Sequence, residues 1–205
     1  MKKLVFLSVL AVGIAFASSA SAQIAGTKHD FSAAGYGTTE ICQPCHTPHD
    51  ADISVAISPL WNHTLASSVG YTLYTSTTLT ATMAQPSGIS TLCLSCHDGT
   101  VAVDSFGGAT GTNFIVPGPG FVGKDLRSEH PISFTYDTAL ATADGGLHDP
   151  ATYASGLGGT VNADLLFGGS LECASCHDVH GGVASTAMLR KANAASALCL
   201  TCHNK

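Results

Sequence analysis

Residues 41 to 50 read ICQPCHTPHD, and the reading of Cys42, Cys45 and His46 decides what kind of molecule this is. C-x-x-C-H is the attachment signature of a c-type haem, in which two thioethers hold the porphyrin and the histidine binds its iron. On one helical turn, residues at i, i+3 and i+4 share a face, so both thiols and the imidazole can address one planar group. The pattern recurs at Cys93/Cys96/His97, Cys173/Cys176/His177 and Cys199/Cys202/His203. Together the four motifs consume all eight cysteines of the chain. Zinc also uses C-x-x-C pairs, but it does not require a histidine directly after each one. Four covalent haems are therefore expected, and disulfides are not.

Outward from the motifs, the compartment is read at the start of the chain. Met1-Lys2-Lys3 precedes an apolar run from Leu4 to Ala17, and Ala20-Ser21-Ala22 fits the small-residue rule for signal-peptide cleavage. The run is short for a membrane span. Residues 1–22 are expected to be a signal peptide and residues 23–205 a single exported haem domain, with no later stretch able to cross a bilayer. Acidic residues outnumber basic ones, fourteen to eight, for a formal charge of −6. That balance argues against nucleic acid as a partner. Only 11% of residues are charged, yet large aliphatic side chains are few, so the haems must supply much of the core.

Local signals are correspondingly weak. Ser90 and Asn193 are candidate helix N-caps, and Gly99 is placed to end the helix of the second motif. The apolar stripe Met188, Leu189, Ala192, Ala195, Leu198 and Cys199 predicts a helix over 185–203. Tyr71 to Thr82 is rich enough in Thr, Tyr and Leu to form strands, and Phe106 to Gly123, with its P-G-P-G, reads as loop. The fold class expected is a mostly irregular chain, with short α-helices at the haem motifs, few short strands and a core formed by stacked haems. ICQPCHTPH echoes ECASCHDVH, and TLCLSCH echoes ALCLTCH. This A-B-A-B order points to a duplicated two-haem unit.

Ten histidines are more than four proximal sites require. His46, His97, His177 and His203 are the proximal ligands, and six others remain for four distal positions. Met83 and Met188 alone could offer sulfur outside the signal peptide, so ligation by two histidines is expected throughout. His49 cannot reach around to the far face of the haem that His46 binds, because three residues extend at most about 10 Å. It serves another haem or none, and the same holds for His180. His29, His49, His130 and His180 are the leading distal candidates, with His63 and His148 behind them. Asp30 is a candidate hydrogen-bond partner for His29. For each of the six, a solvated or hydrogen-bonded side chain is the alternative, and two should be bystanders.

The blocks KHDF (28–31), CQPCHTPH (42–49), PLWNH (59–63), LCLSCHDGT (92–100), EHPISF (129–134), CASCHDVHG (173–181) and LCLTCH (198–203) resemble multihaem c-type cytochromes with doubled C-x-x-C-H motifs. The resemblance is greatest to extracellular tetrahaem cytochromes that polymerise into conductive filaments. It implies a continuous stack of bis-histidine haems and electron transfer without a bond-making substrate. In such filaments the histidine matching His49 binds a haem of the adjacent subunit, and the haem of Cys199, Cys202 and His203 is the expected target. An outer-membrane conduit as donor and a mineral, cell or electrode as acceptor are implied likewise. The alternatives are a monomeric periplasmic electron shuttle and, in another class, a nitrite- or hydroxylamine-type oxidoreductase with one five-coordinate haem.

Overall fold

Helix α1, Gly88–His97, is the longest regular element among the described residues and carries the whole second C-x-x-C-H motif. The computed structural model describes residues 23–58, 60–181 and 187–204; the expected signal peptide, 1–22, lies outside them. Strand β1 (Phe134–Thr135) is followed by α2 (Thr138–Asp144) and α3 (Val161–Leu165), then by β2 (Ser170–Leu171) and the four-residue α4 (Cys173–Cys176). Two 3-10 turns, Ala194–Ser196 and Cys199–Thr201, come last. The strands pair antiparallel, Phe134 with Leu171 and Thr135 with Ser170. Most of the chain is loop and turn, as the weak sequence periodicity predicts. Among the described residues no helix is long and apolar enough to cross a membrane.

The helices begin and end for local reasons. α2 is capped by Asp137, whose carboxylate accepts from Leu140 N at 2.8 Å, and is stopped by Gly145 at φ +70°. α1 ends as expected at Gly99, at φ +74°, whose N–H donates to Cys96 O at 3.0 Å. A Cβ there would lie 2.6 Å from Phe121 Cε2 and 2.9 Å from Ile115 O, so only glycine lets the following loop fold back on the helix. The N-cap differs from expectation. Ser87 holds that position, with extended backbone, while Ser90 lies inside the helix with its hydroxyl turned to Glu172.

Two apolar clusters hold the polypeptide. The larger joins Phe134, Tyr136, Ala141, Val161, Leu165, Leu166 and Leu171, with Cys202 of the last motif packed against it. The smaller joins Tyr71, Leu94 and Leu126. Tyr136 is the largest fully buried side chain, and its hydroxyl donates to His148 O at 2.6 Å. These clusters sit beside the motifs and are small for a chain of this length.

Two sequence expectations are corrected. Of the helix expected over 185–203, residues 185 and 186 lie outside the described residues, and 187–203 do not form it. Asp178 N donates to Met188 O at 2.7 Å and Arg190 N to Cys176 O at 2.9 Å, so residues 188–190 bridge to the end of the third motif, with Leu189 opposite His177. That pairing uses backbone groups an α-helix would need. Met188, Ala195 and Ser196 have φ of 51°, 51° and 62°, outside the right-handed helical region. Asn193 still precedes a turn, its Oδ1 accepting from Leu198 N at 3.0 Å. Tyr71 to Thr82 forms one isolated bridge, Thr72 with Asp125, rather than strands. The Gln85 side chain satisfies both backbone groups of Tyr71, at 2.8 and 3.0 Å, and so replaces a neighbouring strand.

Candidate haem-binding sites

All eight cysteines are free thiols, as haem attachment requires. In the first, third and fourth motifs the histidine N–H donates to the carbonyl of the first cysteine, at 2.9, 3.1 and 2.9 Å. The second motif achieves the same turn inside α1. Four different local contexts, a plain turn at Cys42–His46, α1, α4 and a 3-10 turn, thus present one conformation. A turn of this kind can bring two sulfurs and an imidazole to one side.

Distal geometry follows from ring positions. The rings of His46 and His180 have centroids 6.0 Å apart, those of His97 and His29 5.9 Å, and those of His203 and His130 6.2 Å. An iron bonded at about 2 Å to an imidazole on each side would set centroids roughly 6 Å apart. Each pair joins a motif histidine to one of the expected distal candidates, so the residues present fit bis-histidine haem. Trp61 lies edge-on to His46 at 6.2 Å, its buried indole N–H without a hydrogen-bond partner among the described residues.

Hydrogen bonds set the imidazole tautomers. His97 Nδ1 faces Gly120 O at 2.5 Å, His177 Nδ1 faces Ala187 O at 2.7 Å and His130 Nδ1 faces Pro131 O at 2.8 Å. A carbonyl oxygen only accepts, so Nδ1 carries the proton and Nε2 keeps its lone pair for a metal. Burial, and then His97 and His177 nearby, lower the pKa of His29 and keep it neutral. The Asp30 carboxylate does not support His29; it accepts from Gly26 N, Ser32 N and the Ser32 hydroxyl. His29 Nδ1 instead meets Met188 Sδ at 3.2 Å. Asp178, 3.8 Å from His180 Nδ1, is the carboxylate beside a candidate ligand.

The remaining candidates are not ring-paired with a motif histidine among the described residues, although His63 Nε2 lies 3.5 Å from Cys96 Sγ. His63 is 3% exposed, with Nε2 2.9 Å from Ala102 O and Nδ1 2.8 Å from Thr64 O, so both ring nitrogens are occupied. His148 lies flat on Tyr153 at 3.5 Å. His49 is exposed. The place opposite His203, expected for His49 of a neighbour, is filled by His130. Among the described residues no imidazole stands across from His177.

Sulfur positions relate the motifs to one another. Cys45 helps raise the pKa of Cys96, which burial pushes up to about 12. Cys93 donates a hydrogen bond to Cys173 and is itself raised well above its usual value. Cys176 acts on Cys202, which burial raises to about 11. Motifs one to two, two to three and three to four are therefore neighbours in chain order. Sequence reasoning missed Glu172, which is 2% exposed. Its Oε2 accepts from Ser90 N at 3.2 Å, the Ser90 hydroxyl, and the Ser133 hydroxyl at 3.0 Å. One signal was available: the residue before each other motif is Ile41, Leu92 or Leu198, and only the third has a carboxylate there.

Comparison with known proteins agrees with the C-terminal part of this geometry. No curated protein matches the chain. Residues 167–205 match the doubled CXXCH motif family, which covers motifs three and four. The match indicates covalently bound c-type haem in a multihaem cytochrome-type electron carrier.

Proposed function

We propose that the chain carries four c-type haems in the order of its motifs and conducts electrons along them as one subunit of an extracellular polymer. Bound haem supplies the one-electron ferric–ferrous couple. The residues hold it by thioether, cap it with His46/His180, His97/His29 and His203/His130, and fix each imidazole through a backbone or side-chain contact. The observation that carries the reading is the set of three imidazole pairs near 6 Å against one motif histidine, His177, with none among the described residues. Of the three histidines left over, His63 faces Thr64 O and Ala102 O and His148 stacks on Tyr153, so exposed His49 of a neighbouring copy completes the His177 site. This moves its target one motif from that implied by the filament cytochromes. Residues 1–22 direct export, the donor is an outer-membrane conduit, and the acceptor is a mineral, cell or electrode.

The unmatched His177 also favours one other reading. In a monomeric periplasmic protein it would leave one five-coordinate site, as a nitrite- or hydroxylamine-type enzyme needs. Intact mass and particle size of the exported protein separate these readings. Polymers whose subunits carry four haems support the proposal. Monomers that bind exogenous ligand at one haem support the enzyme, and monomers that do not support the shuttle.

A further inference from the structure

Glu172 is a carboxylate where the chain has every reason to place a hydrocarbon. It precedes Cys173, begins α4, and donates its N–H to Ser175 Oγ at 2.8 Å. Its side chain reaches α1, where Ser90 is 0% exposed. The Ser90 hydroxyl accepts from Cys173 N at 3.0 Å and donates to the carboxylate, tying the third motif to the helix of the second. Cys93 and Cys173 are in hydrogen-bond contact, and both feel the charge of Glu172. A Cβ on Gly88 would lie 2.7 Å from Glu172 Oε1, so the first turn of α1 is also shaped around it. An anion taken out of water is costly unless its role or its donors offset that. A packing role alone would be met by the leucine or isoleucine that the other motifs carry.

We propose that Glu172 is a positioning and tuning residue that holds down the reduction potentials of the two central haems, those attached through Cys93 and Cys173. The inference rests on the four-haem reading. A buried negative charge stabilises the ferric over the ferrous form of any iron near it, and low local dielectric lengthens its reach. Once Cys93 and Cys173 are thioethers they carry no charge. Glu172 is then the carboxylate that acts on both attachments, Cys93 and Cys173, at once, whereas Asp98, also buried, acts on Cys96 of the second motif. Matched potentials at the middle of a chain of carriers keep an electron from resting on one of them.

The test is spectroelectrochemical titration at pH 8 of full-length protein whose mass first confirms four haems, fitted as four one-electron steps. Glu172→Gln should raise two of the four steps, each by roughly tenfold in its reduction constant, about 59 mV. Glu172→Asp keeps the charge and should restore them. Ser90→Ala removes a donor that offsets the charge and should lower the same two steps, which keeps the test alive if Glu172→Gln fails to fold. Four unchanged steps in Glu172→Gln, or a Ser90→Ala shift in the upward direction, would overturn the inference. A mass short of four haems would instead reject the reading on which it rests.

Discussion

Imidazole nitrogens divide these histidines into candidate ligands and bystanders. A ring whose Nδ1 faces a carbonyl keeps Nε2 available, as in His97, His130 and His177, whereas His63 has both nitrogens taken. His63→Ala should therefore leave the spin state of every haem unchanged while lowering stability by about 1–3 kcal/mol, because it removes a buried ring and its contacts with Ala102 O and Thr64 O. His29→Ala should do the reverse, turning one haem high-spin in electron paramagnetic resonance spectra. The turns of the four C-x-x-C-H motifs were legible in the sequence because their spacing is rigid. Distal partners were legible only as a pool. Their pairing depends on loops that bring His180 to His46 and His130 to His203 from far along the chain, and no local pattern records that. Asp30 illustrates the difficulty: adjacent to His29, it turns its carboxylate to its own turn.

Among the elements, α1 and the turn after it are the part most exposed to a single backbone change. Gly99→Ala should cost about 1–3 kcal/mol, since a left-handed φ and contacts with Phe121 and Ile115 combine there; a thermal melt followed at the haem bands would measure it. Leu165→Ala, at 2% exposure in the larger cluster, should cost about 2–5 kcal/mol by the same assay. Glycine and the Asp98-Gly99 stop made the end of α1 readable. The helix over 185–203 misled because its apolar stripe is real but is spent otherwise. Leu198 is buried from a 3-10 context, and residues 188–190 pair with the third motif. Short elements of this kind are set by tertiary contacts rather than by propensity, and the strands expected over 71–82 failed for the same reason, with Gln85 supplying the bonds.

At the scale of the whole molecule, motif order and ring pairing describe, on the proposed function, a line of four haem sites, three of which have both imidazoles among the described residues. Attachment should therefore be required for folding: a variant with all eight cysteines changed to alanine should show no cooperative melt by circular dichroism, because its two small apolar clusters lack the groups they pack around. On the proposed function, the incomplete site is where one copy meets the next. The most direct measurement is the spin state of oxidised His49→Ala beside the unaltered protein, each confirmed by mass to hold four haems. The account predicts four low-spin haems in the assembled protein, and one high-spin haem in dispersed His49→Ala subunits. Four low-spin haems in the variant, with assembly intact, would contradict it.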